Sequence, residues 1–192
     1  MDTVRRALHY LFNLEWTERK QTTCIFCNLS NLKDIVYEDD AIIVVENIRK
    51  SGQEHWLIMP KPNHARHIRD IEALTIADLP LRKFAPFPTS YATIVRTLKE
   101  LISEVVKDME AVKKKLLSKH FPTVKQSELH CGYHRGRRPF IGSIIWPDIV
   151  SVHHLHLHII IKPHVSAWLF KYPSWLPLMW KSDGKVIRLL SG

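Results

Sequence analysis

The stretch that most constrains this chain is Ser151-Val152-His153-His154-Leu155-His156-Leu157-His158-Ile159-Ile160-Ile161. From His154 onward histidine alternates with leucine. A strand turns successive side chains to opposite faces, so the pattern predicts His154, His156 and His158 on one face. Leu155, Leu157 and Ile159 then point the other way, into a core. The β-branched run Ile159-Ile160-Ile161 favours a strand, and Pro163 stops it. Three imidazoles on one face weaken a strand unless they have work to do. They serve as neutral metal ligands, or one is a nucleophile that its neighbours orient toward an anionic substrate. The bland alternative is a wet strand face that carries histidine by chance.

The segment His154-Leu155-His156-Leu157-His158-Ile159-Ile160 resembles the signature of the histidine triad superfamily, in which histidine alternates with apolar residues. The resemblance implies an α+β histidine triad fold: an antiparallel sheet with a long packed helix. It also implies nucleotidyl hydrolase or transferase chemistry at the α-phosphate of a purine nucleotide conjugate.

The rest of the chain is read against that expectation. At 192 residues it suits one domain with a sizeable core. Residues 2–15 place Val4, Ala7, Leu8, Leu11 and Phe12 at helical spacing. They read as a short N-terminal helix, residues 1–20 forming a helical extension. A mitochondrial presequence is the rival reading, because Arg5 and Arg6 sit there, while Asp2 and Glu15 argue against it. No long apolar signal core and no apolar run of about 20 residues occur, so no membrane is expected. The expected location is cytoplasm, nucleus or both. A net charge of +9 favours anionic partners: nucleotides, nucleic acid or acidic surfaces.

Cys24-Ile25-Phe26-Cys27 is either a redox pair or half a zinc site. With Cys131 the chain has three cysteines, which make no disulfide framework. Ile35-Val36-Tyr37 and Ala41-Ile42-Ile43-Val44-Val45 flank Glu38-Asp39-Asp40 and read as a hairpin. A strand His55-Trp56-Leu57-Ile58-Met59 follows and ends at Pro60. Residues 70–88 begin helically and are then broken by Pro80, Pro86 and Pro88. Ile94, Leu98, Leu101, Ile102, Val105, Met109, Val112 and Leu116 predict a long amphipathic helix. Its opposite face, with Lys99, Lys107, Lys113 and Lys114, is expected in solvent. Leu129-His130-Cys131-Gly132-Tyr133-His134 reads as a strand entering a basic loop. In the tail, Trp168, Tyr172, Trp175 and Trp180 are expected in the core or at an interface.

Several residues take roles only through the resemblance. Cys24 and Cys27 match the hook with which such proteins often begin. A structural zinc would join them to His64 and His154, with His67 the alternative to His64. Asn47 stands where the family usually has an aspartate that binds ribose hydroxyls. His55 matches an upstream histidine lining the nucleotide pocket. Gly132-Tyr133-His134 and Pro139-Phe140 resemble a segment of the type 3 histidine triad nucleotide-binding proteins. That branch implies adenosine 5′-monophosphoramidase activity and a homodimer. Residues 21–192 would form the domain, with insertions near 76–90 and 141–150. The second insertion borders the expected site; it either shapes a pocket or stems from a retained intron.

The implied chemistry runs as follows. His156 attacks phosphorus and forms a nucleotidyl-histidine. A backbone carbonyl near His154 orients it, His158 donates to a phosphate oxygen, and Ser151 stands near the leaving atom. AMP, or another purine nucleotide, would be cut from phosphoramidate conjugates; Asn47, His55, His158 and Ser151 would hold it. Rival readings are a dinucleoside-polyphosphate hydrolase and an aprataxin-like DNA-adenylate hydrolase. Nucleic-acid binding is then expected to be weak and salt-sensitive, because the positive charge is spread along the chain. A reading from another class is a catalytically inactive nucleotide- or zinc-binding interaction module.

Overall fold

A computed structural model describes Phe26 and residues 28–61, 91–134, 138–141, 144–146, 154–166, 169, 172–176 and 179–191. Of 31, 91–99, 101, 138–141, 144–146 and 191, only the backbone is described. The expected N-terminal helix, Cys24, Cys27, His64, His67, Ser151, Trp168 and the stretch 70–88 lie outside the described residues.

The strands are β1 (Ile35–Glu38), β2 (Ile42–Glu46), β3 (Gly52–Pro60), β4 (Leu129–His134), β5 (Arg138–Ile141), β6 (Ile144–Trp146), β7 (Leu157–Pro163) and β8 (Trp180–Ser182). The helices are α1 (Tyr91–His120) and α2 (Asp183–Ser191). Among the described residues, six strands form one antiparallel sheet in the order β1-β2-β3-β7-β4-β8. The architecture is α+β, as expected. β5 and β6 pair as a separate hairpin, so part of the 141–150 segment is strand rather than plain loop.

The β1–β2 hairpin turns on Asp39. Its Oδ1 accepts the N–H groups of Ala41 and Ile42, which the tight turn leaves without ladder partners. Tyr37 donates its hydroxyl to Asp39 Oδ2 at 2.8 Å. Burial by itself would raise this carboxyl. The Ile42 and Ala41 N–H groups, the Tyr37 hydroxyl and the nearby Lys61 together hold it below its usual value.

Period two sorts the sheet residues onto two faces. Ile42, Val44, Trp56, Ile58, Cys131, Tyr133, Leu155, Leu157, Ile159 and Ile161 share a core with α1. From the helix, Ile102, Val105, Val106, Met109, Val112 and Leu116 meet them. Residues 91–120 contain neither glycine nor proline, so nothing interrupts a helix about 45 Å long. Each fully buried aliphatic side chain contributes about 1.5–3 kcal/mol. The other sheet face carries Ile43, Val45, Leu57 and Met59 under Phe26, Leu29 and Leu32. Further along that face, Ile160 lies under Tyr172 and Trp180.

Two expectations are corrected. Lys113 is not on a solvated face. It is nearly buried and pairs with Glu110 and with Asp183 at the start of α2. The tail folds back as β8 and α2 on that end of α1, so the lysine meets carboxylates instead of water. The second correction concerns the histidine stretch. β7 begins at Leu157, so His154 and His156 precede the ladder. The His154 carbonyl accepts a ring N–H from His156.

Candidate active site

The sheet face away from α1 gathers His55, His130, His134, His154, His156 and His158. His158 stands at its centre because of register. It pairs with Leu57 on β3 and with Gly132 on β4. His55 pairs with Ile160, which sets it diagonal to His158, within reach of a long ring. His134 is the corresponding diagonal neighbour from β4. The ring centroids of His55 and His134 lie 5.2 and 4.9 Å from that of His158.

Directly opposite His158 the chain has Gly132, and the vacant side-chain space is taken by Trp180. A Cβ on Gly132 would lie 2.5 Å from the Lys181 carbonyl and 2.7 Å from Trp180 Cε2. Trp180 stacks on His130 with ring planes 8° apart and centroids 5.1 Å apart. His130 Nε2–H donates to the Tyr172 carbonyl at 2.8 Å. Burial lowers the His130 pKa, against the pull of that hydrogen bond. Tyr172 in turn packs 4.9 Å from His158 and 5.4 Å from His55. His130, Tyr172 and Trp180 were given no site role from the sequence. A signal existed for His130, which shares a period-two face with Gly132 and His134. For Tyr172 and Trp180 no local signal exists: Trp180 arrives through the β4–β8 pairing, and Tyr172 through the bond from His130 to its carbonyl.

The triad itself enters β7 from below. All three rings are buried: His154 is 1% exposed, His156 6% and His158 4%. His154 Nε2–H donates to the Pro60 carbonyl at 2.9 Å, which leaves the lone pair of the neutral ring on Nδ1. The Phe26 ring, from within Cys24-Ile25-Phe26-Cys27, lies 6.3 Å from the His154 ring. His156 Nδ1–H donates to the His154 carbonyl at 2.7 Å. A carbonyl only accepts, so the tautomer is decided and the lone pair sits on Nε2. Burial lowers the His156 pKa, with the carbonyl bond opposing, and so favours the neutral ring. The His156 and His158 ring centroids are 4.5 Å apart.

On the β3 side, His55 Nε2 and His158 Nδ1 are 2.9 Å apart. Asn47 closes this side: its Nδ2 lies 3.4 Å from His55 Nε2. The structure thus brings together His154, His156, His158, His55 and Asn47. Ser151, Cys24, Cys27 and His64 are outside the described residues, and among the described residues no group of three or more potential ligands collects around a metal position.

Comparison with known proteins adds the following. The family model described as "scavenger mRNA decapping enzyme C-term binding" matches residues 21–83 and 88–172. The bifunctional adenosine 5′-phosphosulfate phosphorylase/adenylylsulfatase HINT4 of Arabidopsis thaliana is 29% identical over 159 residues, which are 81% of this chain and 82% of that protein. Among solved structures, a HIT family hydrolase from Legionella pneumophila is 20% identical with a TM-score of 0.44, covering 74% of this chain and 95% of its own. The aprataxin ortholog Hnt3 in complex with DNA is 19% identical with a TM-score of 0.37, covering 72% of this chain and 57% of its own.

Proposed function

This chain belongs to the histidine triad family, and from that premise we propose that it is a nucleotidyl hydrolase working through a nucleotidyl-histidine on His156. One observation carries the reading: the 2.7 Å bond from His156 Nδ1–H to the His154 carbonyl. It turns an unprotonated Nε2 into the site and fixes the ring's orientation. A buried, neutral, pre-oriented imidazole is what in-line attack on phosphorus requires.

The substrate class is AMP, or another purine nucleotide, joined through its α-phosphate to a leaving group. His156 Nε2 attacks phosphorus, and water then releases AMP from the intermediate. His158 exchanges the proton that these steps move, being the adjacent ring on the phosphoryl side. Asn47 and His55 border the nucleotide. Ser151, three residues before His154, is assigned to the leaving-group side from the sequence. The phosphoramidate bond is one substrate class. A sulfate-bearing conjugate is the second reading, favoured by the likeness to a relative named for adenosine 5′-phosphosulfate.

We assign a structural zinc to Cys24, Cys27, His64 and His154. The described part of this set fits, since the Pro60 carbonyl takes His154 Nε2–H and leaves Nδ1 as the donor atom. Phe26 also puts the hook's own residue beside that ring. Such a zinc supplies rigidity, tying the hook to the catalytic segment.

Rapid quenching with AMP-labelled conjugates is the test. The expected result is AMP on one histidine through an acid-labile P–N bond, abolished by His156→Ala with AMP binding retained. Wild-type turnover in His156→Ala, or AMP trapped on lysine, would overturn the mechanism. Binding without turnover on every AMP conjugate would favour the non-catalytic module. Tight, salt-resistant binding to adenylylated DNA ends would favour the aprataxin-like reading.

A further inference from the structure

We propose that Asn47 is a positioning residue that places the shared proton of the His55–His158 pair on His158 Nδ1, and so suits the site to AMP conjugates whose leaving group departs as an anion. The inference rests on the nucleotidyl-histidine reading above and adds the class of leaving group.

Asn47 Oδ1 accepts the Arg49 N–H at 2.9 Å. A backbone N–H can only donate, so the oxygen end of the amide must face Arg49. The NH2 end is then the one that faces His55 Nε2, at 3.4 Å. The backbone holds this arrangement, since Asn47 N–H donates to the His55 carbonyl at 2.8 Å. The amide cannot turn over without losing the Arg49 bond.

An NH2 group has hydrogens to offer and no lone pair to accept with. Set against His55 Nε2, it favours a lone pair on that nitrogen and disfavours a proton there. His55 Nε2 is also the atom 2.9 Å from His158 Nδ1. One of the two must carry the hydrogen between them. With the lone pair on His55 Nε2, it is His158 Nδ1–H that donates. Neutral His158 therefore presents an unprotonated Nε2. This reverses the direction expected from the sequence, where His158 donates to the phosphate.

The chemistry follows. In the first step His156 Nε2 forms a bond to the α-phosphorus, and the bond from phosphorus to the leaving group breaks with its electron pair going to that group. A sulfate or phosphate leaves as a stable anion and needs no proton. An amine leaves only if it is protonated, and neutral His158 has no Nε2–H to give. In the second step water attacks phosphorus and passes its proton to His158 Nε2. The P–N bond breaks, its electrons return to His156 Nε2, and AMP departs. His158 then releases the proton to solvent. Both steps balance with water as the sole co-reactant. An aspartate at position 47 would present an acceptor to His55 Nε2, draw the proton there and leave His158 with Nε2–H, a site suited to amine leaving groups.

The experiment uses the full-length protein and its Asn47→Asp variant, with two readouts. Nitrogen-15 NMR of the histidine rings reports which nitrogen of His158 is protonated. The expected wild-type state is Nδ1–H, moving to Nε2–H in Asn47→Asp. In parallel, kcat/KM is measured for adenosine 5′-phosphosulfate and for adenosine 5′-phosphoramidate. The expected ratio favours the phosphosulfate by tenfold or more in wild type and falls at least tenfold in Asn47→Asp. A wild-type His158 carrying Nε2–H, or a substrate ratio unmoved by the substitution, overturns the proposal. If no AMP conjugate turns over, the nucleotidyl-histidine reading fails, and the NMR result still decides the role of Asn47 in proton placement.

Discussion

Trp180 lies across Gly132: a Cβ at position 132 would come within 2.7 Å of Trp180 Cε2. The absent side chain on β4 is therefore what lets the indole cover the sheet face beside His158. Gly132→Ala should push Trp180 off its stack on His130 and destabilise the fold by about 1–3 kcal/mol, the usual range for overpacking a filled site. Chemical denaturation with tryptophan fluorescence measures both effects. Unchanged stability and an unchanged spectrum would show that the close approach is not needed.

The ion pair between Lys113 and Asp183 joins the long helix to the C-terminal one, with Glu110 on the same ammonium. Burial holds the Glu110 carboxyl above its usual range, and the lysine opposes that shift. Lys113→Met would leave two carboxylates without their cation. It should cost about 3–5 kcal/mol, as for other buried pairs deprived of one partner. Adding Glu110→Gln and Asp183→Asn should recover much of the loss. Thermal unfolding of the single and triple variants decides this, and additive losses would refute the coupling.

Asp39 makes stability depend on acid. Its folded pKa is below the ordinary value of 3.8, so its contribution is fully present above about that pH. It is lost as the pH falls through the folded pKa. Asp39→Ala removes the acceptor for Ala41 and Ile42 N–H and should cost about 1–2 kcal/mol at pH 7. The gap between variant and wild type should narrow in strong acid. Urea titrations at pH 7 and near pH 3 supply the comparison; a gap independent of pH would contradict it.

The zinc assignment predicts about one zinc per chain in protein purified without added metal. Acid should release it, because the cysteines bind as thiolates. Cys24→Ala should lose it at neutral pH. Elemental analysis is sufficient, and zinc retained in the variant would exclude the hook as its ligand.

Much of the fold was legible because it depends on short-range patterns. The β1–β2 hairpin followed from two apolar runs around Glu38-Asp39-Asp40. Helix α1 followed from the spacing of Ile102, Val105, Met109, Val112 and Leu116. The histidine alternation correctly sent Leu155, Leu157 and Ile159 into the core. Lys113 was misread because helical spacing reports which face of a helix is polar. It does not report that a second helix will cover that face with a carboxylate.

The sequence by itself determined which residue types share a face, since side-chain direction in strands and helices is a local property of the backbone. It thereby put His154, His156 and His158 together. Only the tertiary structure decided what each ring nitrogen does. His154 depends on the Pro60 carbonyl, His158 on His55 and through it on Asn47, and the room beside Gly132 on Trp180. A tautomer is set by the hydrogen-bonding atom within about 3 Å of each ring nitrogen. For His158 that atom arrives from strand β3 through sheet pairing, and for His154 from Pro60 just beyond that ladder, each about 100 residues away in the chain.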